Sequence, residues 1–214
     1  MTDRVFWRDP YLRELATRVA TVDGPRVTLA ETIFYAESGG QESDAGTIAG
    51  HPVLEALMGA DGADIVYTLP DGHGLAAGDP VTVRIDWDRR YRLMRLHFAA
   101  EVILELVYQT HPGTAKTGAH IAADKARIDF QWDGSIAGIL PDLQARAESL
   151  IAADRPIVSD FSDAARRRRY WRVDGFAQVP CGGTHLRSTG EVGALRLKRR
   201  NPGKGRERVE ITLA

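Results

Sequence analysis

Pro180-Cys181-Gly182-Gly183-Thr184-His185 carries the only cysteine of the chain, with a histidine four residues later. A thiolate and an imidazole at that spacing, joined by a turn that two glycines let bend, make half of a site for zinc. Half a site needs a second segment. His97, Glu101 and Glu105 stand at i, i+4 and i+8 of a stretch without glycine or proline, so they share one helix face. Taken alone, that stripe reads as the wet face of an amphipathic helix with an incidental histidine. Its borders argue otherwise. Leu93, Ala100, Leu104 and Tyr108 flank it, so its polar groups would meet water only through a cleft. Buried polar groups need partners, and a metal is one kind. The expected ligands are therefore His97, Glu101, Cys181 and His185, and the expected ion is Zn2+. Other histidines compete poorly. His73 lies in a glycine-rich loop, His51 and His111 precede prolines, and His120 opens an expected strand.

Two kinds of element must hold these residues. From about Arg89 to Gln109 good helix formers dominate, and Leu93, Leu96, Ala99, Ala100, Val102, Ile103, Leu104, Leu106 and Val107 cover most of the circumference. That is the pattern of a largely buried helix, ended by His111-Pro112-Gly113. A second helix is expected from about Ile139 to Ala153, with Asp142 in its first turn and Arg155-Pro156 beyond its end. Before Asp86 the chain reads as β. Arg26–Leu29, Thr32–Tyr35, Ile65–Leu69 and Val81–Ile85 are short, β-branched and aromatic. Turn signals separate them at Asp23-Gly24-Pro25, Ser38-Gly39-Gly40, Asp61-Gly62 and Asp71-Gly72-His73-Gly74. Such spacing suggests a small barrel or sandwich. Beyond the first helix, Ala126–Phe130 reads as a strand. The end of the chain reads as a hairpin of Ala194–Arg200 and Arg206–Leu213. The change of period near Asp86 predicts two domains, residues 1–86 and 87–214.

The composition is that of a globular protein, 43% hydrophobic and 27% charged. One cysteine excludes an internal disulfide framework. No basic segment followed by an apolar run opens the chain, and no run is long enough to cross a bilayer, so a cytoplasmic protein with no membrane association is expected. The net charge of −1 hides an asymmetry. Residues 155–214 hold 14 basic and 6 acidic side chains, a charge of +8, against 14 and 23, or −9, in the remainder. A basic segment on an acidic body suggests an anionic partner, with uneven surface charge as the plainer reading.

At this point the sequence resembles a known family. Arg95-Leu96-His97-Phe98-Ala99-Ala100-Glu101 and Cys181-Gly182-Gly183-Thr184-His185 are similar to the two metal motifs of the AlaX proteins, freestanding relatives of the alanyl-tRNA synthetase editing domain. Phe34-Tyr35-Ala36-Glu37-Ser38-Gly39-Gly40-Gln41, followed by Ser43-Asp44-Ala45-Gly46, resembles the glycine-rich motif of the longer AlaX forms, and Lys125–Phe130 sits where the family has a strand. The likeness runs along nearly the whole chain. It implies an α+β protein with an N-terminal small β-barrel domain, 1–86, and a two-layer α+β editing domain, 87–214. It also implies a zinc-dependent deacylase that removes serine or glycine from tRNA for alanine, with no obligate protein partner evident. Two positions depart from the family pattern. Glu101 stands where the family has a second histidine, and Phe98 where it has a small hydroxyl residue.

Roles follow as expectations. If all four side chains bind, the site is closed in the manner of a structural zinc. If only His97, Cys181 and His185 bind, Glu101 is free to be a general base. Gly182, Gly183 and Thr184 are grouped with Glu101 as catalytic, the glycines either presenting N–H groups to an oxyanion or merely letting the chain bend. Ser38, Gly39, Gly40 and Gln41 are expected near the tRNA end, or else form only a barrel turn. The run Arg166–Arg169 and the terminal hairpin are expected at phosphates, with Arg167, Arg168, Lys198, Arg199, Arg200 and Lys204 as the contacts. Trp171 after the run reads as core more readily than as a stacking platform. Two other functions fit the same residues: a tRNA-binding module whose zinc is structural, and a metal-dependent hydrolase of small esters.

Overall fold

Residues 1–60 and 62–214 are described by the computed structural model, which falls into two units, Met1–Tyr91 and Arg92–Ala214. Of the turns expected from sequence, Asp61-Gly62 has its aspartate outside the described residues. The fold class is α+β, with sheets that are almost entirely antiparallel.

Among its described residues the first unit holds nine strands: β1 (Asp3–Arg4), β2 (Glu14–Asp23), β3 (Arg26–Leu29), β4 (Glu31–Thr32), β5 (Gly46–Ile48), β6 (His51–Pro52), β7 (Glu55–Met58), β8 (Ile65–Thr68) and β9 (Pro80–Ile85). Seven of them form one sheet in the order β6-β5-β9-β2-β3-β8-β7. β2 is the hinge of this sheet. Glu14–Arg18 pairs with β9, Val19–Asp23 pairs with β3, and the register shifts between Val19 and Thr21. An irregularity of this kind bends a strand and strengthens its twist, so the sheet curls. Among the described residues no ladder joins β6 to β7, and the curl is an open half-barrel. Val27, Ile33, Phe34, Ile48, Ile65, Tyr67 and Val83 fill its interior.

The strand expected at Thr32–Tyr35 is a correction. Only Thr32 is in a strand, and Ile33–Ala36 is buried and unladdered. Side chains do the work of a neighbouring strand there. Thr32 Oγ1 accepts from Phe34 N–H at 3.0 Å and Asp44 Oδ2 from Tyr35 N–H at 2.7 Å, while the Arg90 guanidinium donates to Ile33 O at 2.5 Å. Asp44 and Arg90 form a fully buried ion pair. Buried backbone groups must be paired, and a side chain serves as well as a ladder. β2, the longest strand of this unit, had no place in the sequence reading.

α1 (Trp87–Thr110) starts where the period of the sequence changes, and Asp86 Oδ1 accepts the Arg89 N–H at 3.1 Å. A side-chain acceptor before the first turn satisfies a donor the helix itself cannot. Apolar residues are buried all round its middle, from Leu93 to Val107. The second unit continues with β10 (Lys116–Ile121), β11 (Ala126–Gln131), α2 (Leu140–Ala152), β12 (Val158–Asp163), β13 (Arg168–Val173), β14 (Ala177–Pro180), β15 (Leu195–Gly203) and β16 (Arg206–Leu213). One sheet runs β10-β11-β16-β15, and a second runs β12-β13-β14. α2 buries Leu143, Ala147 and Leu150, a single stripe at helical spacing. His120 does not open a strand but lies near the end of β10, because pairing with β11 begins at Lys116 and passes an irregularity before Gly118.

Candidate metal centre

α1 and the segment after β14 bring the two half-sites together. One donor atom from each of His97, Glu101, Cys181 and His185 lies within 4.8 Å of the other three. His97 Nε2 is 3.3 Å from Cys181 Sγ and 3.2 Å from Glu101 Oε2, and His185 Nε2 is 3.6 Å from the same carboxylate oxygen. The helix supplies its two residues one turn apart on one face. The turn supplies the others because it can fold tightly under the helix. A Cβ at Gly183 would meet His97 Cε1 at 2.7 Å and Nε2 at 2.8 Å, so only glycine lets the backbone come so close to that ring. Gly182 has open space about it. The Gly183 N–H is turned onto Cys181 Sγ at 3.4 Å. That donor favours the thiolate.

The donor set suits zinc: two imidazole nitrogens, one sulfur and one carboxylate oxygen. Its buried atoms also want a cation. Glu101 Oε2 and His185 Nε2 are buried and make no hydrogen bond. A native interior seldom leaves polar atoms so. Electrostatics tie the four together. Burial opposes charge on His97, but Glu101 and Cys181 hold its imidazolium well above the ordinary range. Burial likewise opposes charge on Glu101, and His97 and His185 outweigh it, so the carboxyl stays far below the usual carboxylate range. His185 is raised in the same way, burial being overcome by Cys181 and Glu101. Glu105, third of the helix stripe, is outside the group, and its carboxyl is pushed up by partial burial and by Glu101.

The remaining expected residues fall in several places. Thr184 is fully buried, with Oγ1 lacking a hydrogen-bond partner. Phe98 is fully buried as well, edge-to-face on Trp171 with ring centroids 5.1 Å apart. Trp171 is core. In the first unit Ser38 and Gln41 exchange backbone hydrogen bonds across Gly39 and Gly40, both at positive φ. Ser38 and Gly39 are exposed, whereas Gln41 is wholly buried, its amide atoms without partners. On β15, Lys198 and Arg200 face outward, and Arg200 meets Glu210 at 3.1 Å. Arg199 points to the other face, where its guanidinium grips the buried Glu207. Lys204 is exposed in the hairpin turn, Arg168 is exposed at the start of β13, and Arg167 adopts positive φ. Arg169 corrects the expectation that the whole arginine run lies at the surface. It is 5% exposed, and its Nη1 donates to Gly183 O at 3.0 Å.

Two supports of the turn were absent from the sequence reading. Besides its side-chain bond, Arg169 accepts the Cys181 N–H on its carbonyl at 2.9 Å. Ser159 on β12 meets His185 Nδ1 at 3.0 Å. A period-two pattern from Arg169 through Trp171 to Val173 could have marked Arg169 as inward-facing. Nothing local marks Ser159.

The Alanyl-tRNA editing protein AlaX-M of Methanosarcina acetivorans is 32% identical, over 100% of this chain and 99% of the relative. The AlaX-M protein of Pyrococcus horikoshii is 31% identical, over 100% and 98%. The chain belongs to the AlaX family of alanyl-tRNA editing proteins. An alanine–tRNA ligase of Pyrobaculum aerophilum is also similar, 28% identical over 92% of this chain, but only 25% of the ligase is matched. The family model described as "Threonyl and Alanyl tRNA synthetase second additional domain" matches residues 172–210, which include the Cys181–His185 turn of this AlaX chain. Among the described residues, no helix is long and apolar enough to cross a membrane.

Proposed function

We propose that this AlaX chain hydrolyses mischarged aminoacyl-tRNA for alanine in trans, releasing serine or glycine at a zinc centre, with residues 87–214 as the editing domain. The observation that carries the reading is the four-donor cluster drawn from segments 84 residues apart. The full-length similarity to proteins named for alanyl-tRNA editing supports it. The bond cleaved is the ester between the amino acid and the terminal ribose. Water forms the new bond to the acyl carbon, and the ribose oxygen leaves with a proton.

His97, Cys181 and His185 would hold the ion, and the unsatisfied Glu101 Oε2 inside the cluster supports Glu101 as the fourth ligand over a detached base. Zinc there would supply Lewis acidity beside the scissile ester. Two anionic ligands cancel its charge, so this centre polarises water less than one with a histidine in place of Glu101. The Gly183 N–H lies on Cys181 Sγ, and Thr184 beside it in the chain is buried. Arg196 and Lys198 on the outward face of β15, with no ion-pair partner among the described residues, are the cations best placed for phosphates, and Lys204 and Arg168 add to them. One observation favours a second reading. Four protein ligands close a zinc site, and a closed site suits a structural ion in a tRNA-binding module that has lost catalysis.

Deacylation of seryl-, glycyl- and alanyl-tRNA(Ala) separates the two. Release of serine or glycine with alanine spared is expected. Tight binding of tRNA with release no faster than the spontaneous rate would leave the second reading standing.

A further inference from the structure

We propose that Ser159 is a positioning residue of the metal centre, holding the outer nitrogen of His185 so that Nε2 is presented to the ion. The inference rests on the zinc reading of the cluster. His185 is 3% exposed, and its two nitrogens have different fates. Nε2 faces Glu101 with no hydrogen bond, while Nδ1 lies 3.0 Å from Ser159 Oγ. An imidazole that gives Nε2 to a metal carries its proton on Nδ1, and that N–H needs an acceptor. The hydroxyl oxygen is such an acceptor.

The other imidazole has no equivalent. His97 Nδ1 is buried without a hydrogen-bond partner. Ser159 is thus the one outer contact to a ligating ring among the described residues. Its placement is built into the second sheet. β12 pairs with β13 so that Ser159 stands opposite Trp171 and Phe161 opposite Arg169. Alternation along strands puts these four on one face. From that face Trp171 packs on Phe98 of α1, Arg169 holds Gly183 O, and Ser159 reaches His185. The hairpin that anchors the turn therefore also aims its histidine.

The test uses the full chain stripped of metal, with zinc titrated against a chromophoric chelator. Ser159→Ala is expected to raise the zinc dissociation constant about tenfold, the lower end for loss of an outer partner. Ser159→Thr, which keeps the hydroxyl, is expected to stay close to the parent. Ser159 is an exposed residue of an edge strand, so the metal-free Ser159→Ala protein should unfold at the parent temperature. Zinc affinity within twofold of the parent in Ser159→Ala overturns the proposal. So does an affinity loss that Ser159→Thr shares, or a parent that takes up no zinc. Absence of deacylation with these affinities as expected would remove the enzymatic reading and leave Ser159 in its role.

Discussion

Burial and the Glu101 carboxylate both oppose ionisation of Cys181, yet His97 and His185 bring its thiol down from 9.0 to about 7. The thiolate is the reactive form, and half of it is present at neutrality instead of a few per cent. In metal-free protein, alkylation of Cys181 by iodoacetamide should rise with pH through a midpoint near 7. Without His97 the midpoint should move up, because the hydrogen bond from its Nε2 to the sulfur, 3.3 Å away, is lost. Saturating zinc should suppress the reaction. A midpoint at the ordinary thiol value in metal-free protein would show that the imidazoles do not reach the sulfur. Zinc bound as proposed would compete with protons for the same imidazoles, so raised histidine values should shift the loss of metal on acidification to higher pH.

At the level of elements, α1 is bound to β13 through Phe98 and Trp171 rather than through the ligand cluster. Phe98 is one of the two residues, with Glu101, expected from the resemblance to depart from the family pattern, and its ring is spent on packing. Phe98→Thr would leave a void against Trp171. Large-to-small changes of this kind cost about 3 kcal/mol. Urea unfolding should report a loss of that order, while zinc affinity measured on the folded protein stays near the parent. A loss of zinc affinity without a loss of stability would place Phe98 in the metal site instead. The same elements show what the sequence displayed. α1 was legible because an unbroken run of helix formers with apolar residues on every side has few other solutions. The four clustered donors were legible because cysteine occurs once and each pair is local, four residues apart. Ser159 was not, since its contact to His185 spans 26 positions and serine is common on exposed strands. β2 was missed because two different partners share its length, which leaves no single alternating face.

Over the whole molecule, the segment 155–214 has a charge of +8 against −9 for the rest, but the positive charge is not all available. Arg199 is taken by Glu207, Arg208 by Asp129 and Arg200 by Glu210, and Arg169 is held by the Cys181–His185 turn through Gly183 O. Alternation along β15 sends Arg196, Lys198 and Arg200 to one face and Arg199 to the other, so the run of basic residues is divided by the pleat. A nucleic-acid contact then draws on fewer cations than the composition suggests. Each phosphate neutralised contributes about 0.7 to 0.9 to the slope of log affinity against log salt. Replacing Arg196 and Lys198 together by glutamine should lower the slope for tRNA by about 1.5. Replacing Arg199 and Glu207 together by glutamine removes a couple already neutralised, and the slope should not change. Equal losses from both double variants would mean that Arg199, and not the outward face of β15 alone, reaches phosphate; no change from either would move the tRNA contact away from this hairpin altogether.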